Sequence, residues 1–307
     1  MSRVKRVLVT GASGFLGDAG VRALIARGFE VHGTGRGAAP DLPGLVWHPA
    51  DLLTEAGRAQ LVAAARPSHL LHLAWEARPG LYRDSPDNPA WAAASLDLLD
   101  RALASGTERV LGIGTCFEYG PYDGLCVEGV TPCGPATLYG QAKLAAAEGF
   151  AAAARSGAGV AWGRVFFPFG PGEPAGRLIP ALIRSLAEGE DFACSHGGQL
   201  RDFIYVEDLA DAMIAVLDGT LTGTVNLGSG EPQRLRDIIG SFARRLGRED
   251  LVRYGARGVS GADAEPIIAA DIARLRDEAG WTPPVGWAEG VERSLAWWRS
   301  RRAGATV

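Results

Sequence analysis

Tyr139 and Lys143 stand four positions apart in Tyr139-Gly140-Gln141-Ala142-Lys143, a spacing that puts both side chains on one face of a helix. An ammonium beside a phenol favours the ionised phenol, so Tyr139 is a candidate proton donor near neutral pH, with Lys143 as its partner. Far upstream, Thr10-Gly11-Ala12-Ser13-Gly14-Phe15-Leu16-Gly17 spaces its glycines as G-x-x-G-x-x-G. Three glycines after a β-branched run let the backbone approach a pyrophosphate, which the N–H groups and positive dipole end of the next helix attract. No Gly-Lys-Ser/Thr follows, so this turn is not a P-loop. Its candidate cofactor contacts are Gly11, Ser13, Gly14, Phe15, Leu16 and Gly17. A tyrosine–lysine pair alone is common on solvated helices; downstream of such a turn it points to hydride chemistry with a nicotinamide dinucleotide.

The end of the second strand should select the cofactor, because an acidic residue there binds a ribose 2'-hydroxyl and repels a 2'-phosphate. This chain has Gly35-Arg36. Arg36 can pair with a phosphate and Ser13 can add a hydrogen bond, so NADPH is expected, with NAD(H) as the alternative.

These residues need a scaffold. Arg6-Val7-Leu8-Val9, Phe29 to Thr34, Gly44 to Trp47, His69 to Ala74, Arg109 to Ile113 and Val160 to Val165 read as six strands separated mostly by helical segments. That alternation predicts an α/β protein with a Rossmann-type, doubly wound parallel sheet. After residue 165, Pro168, Pro171, Pro174 and several glycines break the pattern. Residues 1–165 are therefore expected to form the dinucleotide-binding domain, which also receives part of 200–245, and residues 166–307 a smaller C-terminal substrate lobe. Within it Arg177 to Leu186 and Glu207 to Leu217 read as helices and Arg201 to Val206 as a strand. Residues 301–307 read as a fraying end.

Composition closes off other classes. With 307 residues, 47% hydrophobic and a net charge of -4, the chain can bury a large core and carries no basic stripe for nucleic acid. The basic start is followed by an apolar run too short for a signal peptide, and no segment spans a membrane, so a cytoplasmic protein is expected. Cys116, Cys126, Cys133 and Cys194 show neither C-x-x-C spacing nor a histidine pair, which predicts reduced thiols and no metal site.

In this order the motifs resemble the extended short-chain dehydrogenase/reductase family, in its branch of nucleotide-sugar epimerases, dehydratases and reductases. The resemblance implies that Asp51-Leu52 contacts adenine and that Leu73-Ala74, in His72-Leu73-Ala74, lines the cofactor. It places Thr115, in Gly114-Thr115-Cys116-Phe117-Glu118-Tyr119-Gly120, with Tyr139 and Lys143 as the catalytic triad. Arg201 would contact the substrate pyrophosphate, Arg177 the nucleotide base, and Trp75, Cys116, Phe117 and Phe167 an apolar wall beside the sugar's methyl group. A homodimer packed through the Tyr139 helix and the segment around Trp91 to Ala104 is also implied.

The departures from the family pattern bear on the reaction. Sugar 4,6-dehydratases of this family carry Asp-Glu directly after the catalytic Thr; here those positions are Cys116 and Phe117. Many members have an Asn shortly after the strand-six Arg, whereas this chain reads Arg164-Val165-Phe166-Phe167. The resemblance therefore points to an NADPH-dependent C4-ketoreductase acting on a nucleotide-linked 4-keto-6-deoxyhexose. The alternatives are a 4-epimerase with bound NAD and a non-catalytic NADP-sensing regulatory protein.

Overall fold

The computed structural model describes residues 4–120, 122–258 and 266–304. Its centre is a seven-stranded sheet of β1 (Arg6–Thr10), β2 (Glu30–Gly35), β3 (Leu45–Pro49), β4 (His69–His72), β5 (Arg109–Thr115), β7 (Val160–Val165) and β12 (Gly223–Leu227). The spatial order is β12-β7-β5-β4-β1-β2-β3, and every pairing is parallel. The strand order reverses between β1 and β4, and loops at that switch point form the ligand crevice of doubly wound sheets. Val7, Leu8 and Val9 are fully buried because helices cover both faces. One face packs on α1 (Phe15–Ala26) and α6 (Val206–Asp218), the other on α2 (Glu55–Ala65), α3 (Asn88–Ala104) and α4 (Leu138–Arg155).

Of the remaining elements, α8 (Ala273–Asp277) sends Leu275 into the core of the seven-stranded sheet beside β12. The smaller layer comprises β6 (Gly124–Cys126), β8 (Phe167–Phe169), α5 (Leu178–Glu188), β9 (Phe192–Ala193), β10 (Leu200–Arg201), β11 (Phe203–Tyr205), β13 (Gln233–Arg234), α7 (Leu235–Leu246), β14 (Val252–Arg253), β15 (Ile267–Ala270) and α9 (Gly286–Gly304). Phe169, Ile179, Leu182, Phe242 and Leu295 belong to its apolar core, with Trp287 packed against them.

The six expected strands are present, and a seventh, β12, completes the sheet. Its buried Asn226 breaks an apolar run that would otherwise announce a strand; the amide is held by Cys126 O at 2.7 Å and Asp271 O at 3.1 Å. The single strand expected over Arg201–Val206 is instead two short strands followed directly by α6. The break falls at Asp202, whose buried carboxylate accepts from Ser229 N, Gly230 N and Ala270 N. Strand β4 ends at His72 rather than Ala74, and α5 starts at Leu178 with Arg177 as its cap. The end expected to fray is helical through Gly304, and residues 305–307 lie outside the described residues, as do residues 1–3 of the basic start.

Candidate active site

The glycine turn leads from β1 into α1. Gly11 adopts φ +66°, the left-handed region that favours glycine, and a Cβ on Gly17 would lie 2.0 Å from the Gly11 carbonyl oxygen. Gly14 caps α1 with no side-chain hydrogen bond, leaving the first-turn amides to face outward. This close-packed, glycine-rich turn at a helix N-terminus fits the pyrophosphate of a dinucleotide. Arg36 is exposed just beyond β2, and a Cβ on Gly35 would sit 3.3 Å from Ser13 Oγ, so arginine and serine stand on the same rim. Phe15 and Leu16 open α1 and pack toward the smaller layer.

The other expected cofactor residues lie along the same sheet edge. Asp51 is exposed and fixes its own turn through Leu53 N at 3.0 Å, while Leu52 is buried. Leu73 and Ala74 are held at the end of β4 by backbone N–H groups that both donate to Thr10 Oγ1 at 3.1 Å.

Tyr139 and Lys143 share one face of α4, as their spacing requires. The ammonium does not meet the phenol. Lys143 Nζ donates to Ile113 O at 2.7 Å and lies 3.8 Å above the Trp75 ring, but 6.0 Å from the Tyr139 ring centre. Burial lowers Lys143 to about 7, with the nearby Glu118 charge opposing the shift. Burial, then the neighbouring Tyr82, pushes the Tyr139 phenol above its ordinary range. The expected lowering of the phenol by Lys143 is thus not what this structure displays, because loss of water outweighs an ammonium directed elsewhere. Edge-on contacts to Tyr82 (4.8 Å) and Trp75 (6.3 Å) hold the Tyr139 ring. Thr115 ends β5 and is buried; its hydroxyl accepts from Phe117 N at 3.3 Å, capping the turn Cys116–Glu118.

The expected substrate residues have different surroundings. Phe117 packs edge-on against Phe167 at 6.1 Å, beneath the Arg83 guanidinium at 5.2 Å. Arg201 is buried 5.8 Å over Phe167 and donates to Leu200 O. Trp75 lies over Lys143, and its indole N–H donates to Asn88 Oδ1 at 2.9 Å. Arg177 lies 5.9 Å over Phe15, and its charge acts on Tyr139. Cys116 is buried in an apolar cluster with Tyr119, Cys126 and Phe166, against which Phe117 and Phe167 pack, and burial raises its thiol well above the usual range.

A profile of the NAD dependent epimerase/dehydratase family matches residues 7–228. This chain belongs to that family. UDP-glucose 4-epimerase of Azospirillum brasilense is 26% identical over 340 residues, covering 96% of this chain and 92% of its own length. The 3-diazoavenalumate denitrifying reductase of a Streptomyces species is 29% identical over 312 residues, covering 94% and 99%. Among solved structures, MoeE5 in complex with UDP-glucuronic acid and NAD matches with a TM-score of 0.83 at 29% identity, covering 96% of this chain and 99% of its own.

In this member of the epimerase/dehydratase family, three sets of supporting residues escaped the sequence reading. The first is a buried relay. Ser95 Oγ donates to Trp91 O, so His72 Nε2–H donates to Ser95 Oγ, and His72 Nδ1 accepts from Thr10 Oγ1, which in turn anchors Leu73 and Ala74. Burial, aided by Lys143, lowers His72 to about 3, keeping this imidazole neutral. The second is Asn88, whose amide ties down the loop bearing Tyr82 through Tyr82 O at 2.8 Å and Ser85 O at 3.0 Å. The third is Glu118 beneath Thr115. It accepts from Thr115 N (2.9 Å), Trp162 Nε1 (3.1 Å) and Arg164 Nε (2.7 Å), and a Cβ on Gly114 would stand 2.1 Å from its Oε1. An acid in the turn just after an apolar strand, preceded by a glycine that makes room for it, was the available signal. Among the described residues, no helix is long and apolar enough to cross a membrane.

Proposed function

We propose that this family member is an NADPH-dependent C4-ketoreductase of a nucleotide-linked 4-keto-6-deoxyhexose. Arg36 carries the proposal: an exposed arginine follows Gly35, whose backbone lies close to Ser13 Oγ, at the strand end where an acidic residue would repel a 2'-phosphate. NADPH, when bound, supplies the hydride that reaches C4. Tyr139 gives the proton to the C4 oxygen, Thr115 hydrogen-bonds that oxygen, and Lys143 holds the nicotinamide ribose. A buried phenol raised above its ordinary range keeps its proton, which suits a donor in reduction better than the base that an initial oxidation needs. Cys116 and Phe117, one buried in an apolar cluster and the other packed edge-on against Phe167, offer no acid–base pair for dehydration.

Glu76 favours a second reading, a 4-epimerase with bound NAD. Its carboxylate is kept ionised chiefly by Arg78 and also feels Arg36, so part of that arginine's charge is already answered. NAD named in the MoeE5 complex supports the same reading. The proposal further includes a homodimer, a division near residue 165 into cofactor and substrate parts, and a cytoplasmic location. The test is NADPH consumption with dTDP-4-keto-6-deoxyglucose, NADH as control, and product analysis. Stoichiometric oxidation with a new 4-hydroxy sugar supports reduction; a changed sugar without net oxidation supports the epimerase.

A further inference from the structure

Glu173 is the buried acid that this mechanism does not use. It lies in the irregular stretch between β8 and α5, is 6% exposed, and its Oε2 has no hydrogen-bond partner. Neither is the stretch remote. A Cβ on Gly172 would touch Phe15 Cδ2 at 3.8 Å, and one on Gly176 would stand 3.2 Å from Pro79, so residues 172–176 bridge the loops that follow β1 and β4. That is the switch-point crevice. Arg177 completes the arrangement: its guanidinium lies over Phe15, and its charge acts on both Glu173 and Tyr139.

A carboxyl group desolvated without a partner costs stability, and such costs persist where a ligand later supplies the missing bond. Burial raises Glu173 to about 8, with Arg177 and the Gly170 amide offsetting only part of it. The missing partner must face a carboxyl oxygen and a guanidinium at once. A sugar hydroxyl serves the acid in both states, accepting from the protonated carboxyl group or donating to the carboxylate while it accepts from the guanidinium, whereas a phosphate has no proton for the carboxylate and is repelled once the acid ionises.

We propose that Glu173, with Arg177, forms a subsite for a sugar hydroxyl of the bound nucleotide sugar, making Glu173 a specificity-determining residue. The assignment rests on the nucleotide-sugar reading above. UDP-, dTDP-, CDP- and GDP-glucose, the matching nucleoside diphosphates, NADH and NADPH are titrated into the full chain as wild type, Glu173→Gln and Glu173→Met. At least one sugar nucleotide binds the wild type, and Glu173→Met, which removes the hydrogen-bonding group, weakens it about tenfold or more, while Glu173→Gln, which keeps an acceptor oxygen, weakens it less. Glu173→Met unfolds at no lower denaturant concentration than the wild type, because it removes a buried carboxyl oxygen that has no partner. A loss confined to sugar-bearing probes assigns the hydroxyl to the hexose; an equal loss with nucleoside diphosphates assigns it to the ribose. Unchanged affinity in both variants overturns the subsite and leaves the reductase proposal standing. A loss confined to NADH or NADPH, or one matched by lost stability in both variants, also overturns it. Failure of all four sugar nucleotides to bind the wild type overturns the nucleotide-sugar reading itself.

Discussion

Glu118 and Glu173 are both buried acids near the proposed site, yet they differ in how far their surroundings satisfy them. Glu118 lies under the end of β5 and is saturated by a backbone amide, an indole and the Arg164 guanidinium. Glu173 lies in the irregular stretch over the crevice and has one oxygen without a partner. Around Glu118 a buried charge is paired and fixes Thr115 in place. Around Glu173 the polar requirement is unmet, as expected where a ligand completes the structure. The floor of the site is thus built by the chain alone, whereas its roof is built to be finished by what binds.

That contrast can be broken at four points. Tyr139→Phe removes the proton donor from a preassembled floor and should lower turnover by about 10²–10⁴-fold with the fold intact, measured by steady-state kinetics beside a circular dichroism spectrum; near-parental turnover would reject Tyr139. Glu118→Ala leaves Arg164 buried without its partner and should cost about 3–5 kcal/mol of stability, read from urea unfolding; a cost under about 1 kcal/mol would mean that the floor is not held by this pair.

The third concerns pH. Glu173 is raised from its usual 4.5 to about 8, so between these values the folded chain binds a proton that the unfolded chain has released. Stability from this group therefore falls as pH rises across that window. Glu173→Gln lacks this dependence, so its advantage in urea midpoint should grow between about pH 5 and about pH 8, and a constant difference would contradict the assignment. The smallest effect is on cofactor choice. Arg36→Ala should reduce the preference for NADPH over NADH by about tenfold, the worth of a solvent-exposed charged hydrogen bond to phosphate; unchanged kcat/KM ratios would remove Arg36 from the argument.

The floor was more legible in sequence than the roof. The glycine spacing, the strand–helix alternation and the Tyr139–Lys143 pair are local signals, and six strands of the sheet followed from apolar runs. What was not local stayed hidden. Glu118 gains its meaning only when β5 and β7 bring Trp162 and Arg164 beside it, and Thr10, His72 and Ser95 form a relay only across β1, β4 and α3. Spacing placed Lys143 next to Tyr139, but it could not reveal that the ammonium would bind Ile113 O and cover Trp75 instead. Glu173, lying among prolines and glycines, gave no periodic signal at all.

Net hydride transfer to the sugar is the central claim, and deuteride transfer tests it most directly. NADPH carrying deuterium at the transferable position of the nicotinamide is incubated with dTDP-4-keto-6-deoxyglucose and the full chain, and the sugar is examined by mass spectrometry and NMR. The account predicts one deuterium at C4 for each NADP formed. A converted sugar without deuterium, and with no NADPH consumed, would contradict net reduction and leave the bound-NAD epimerase in its place.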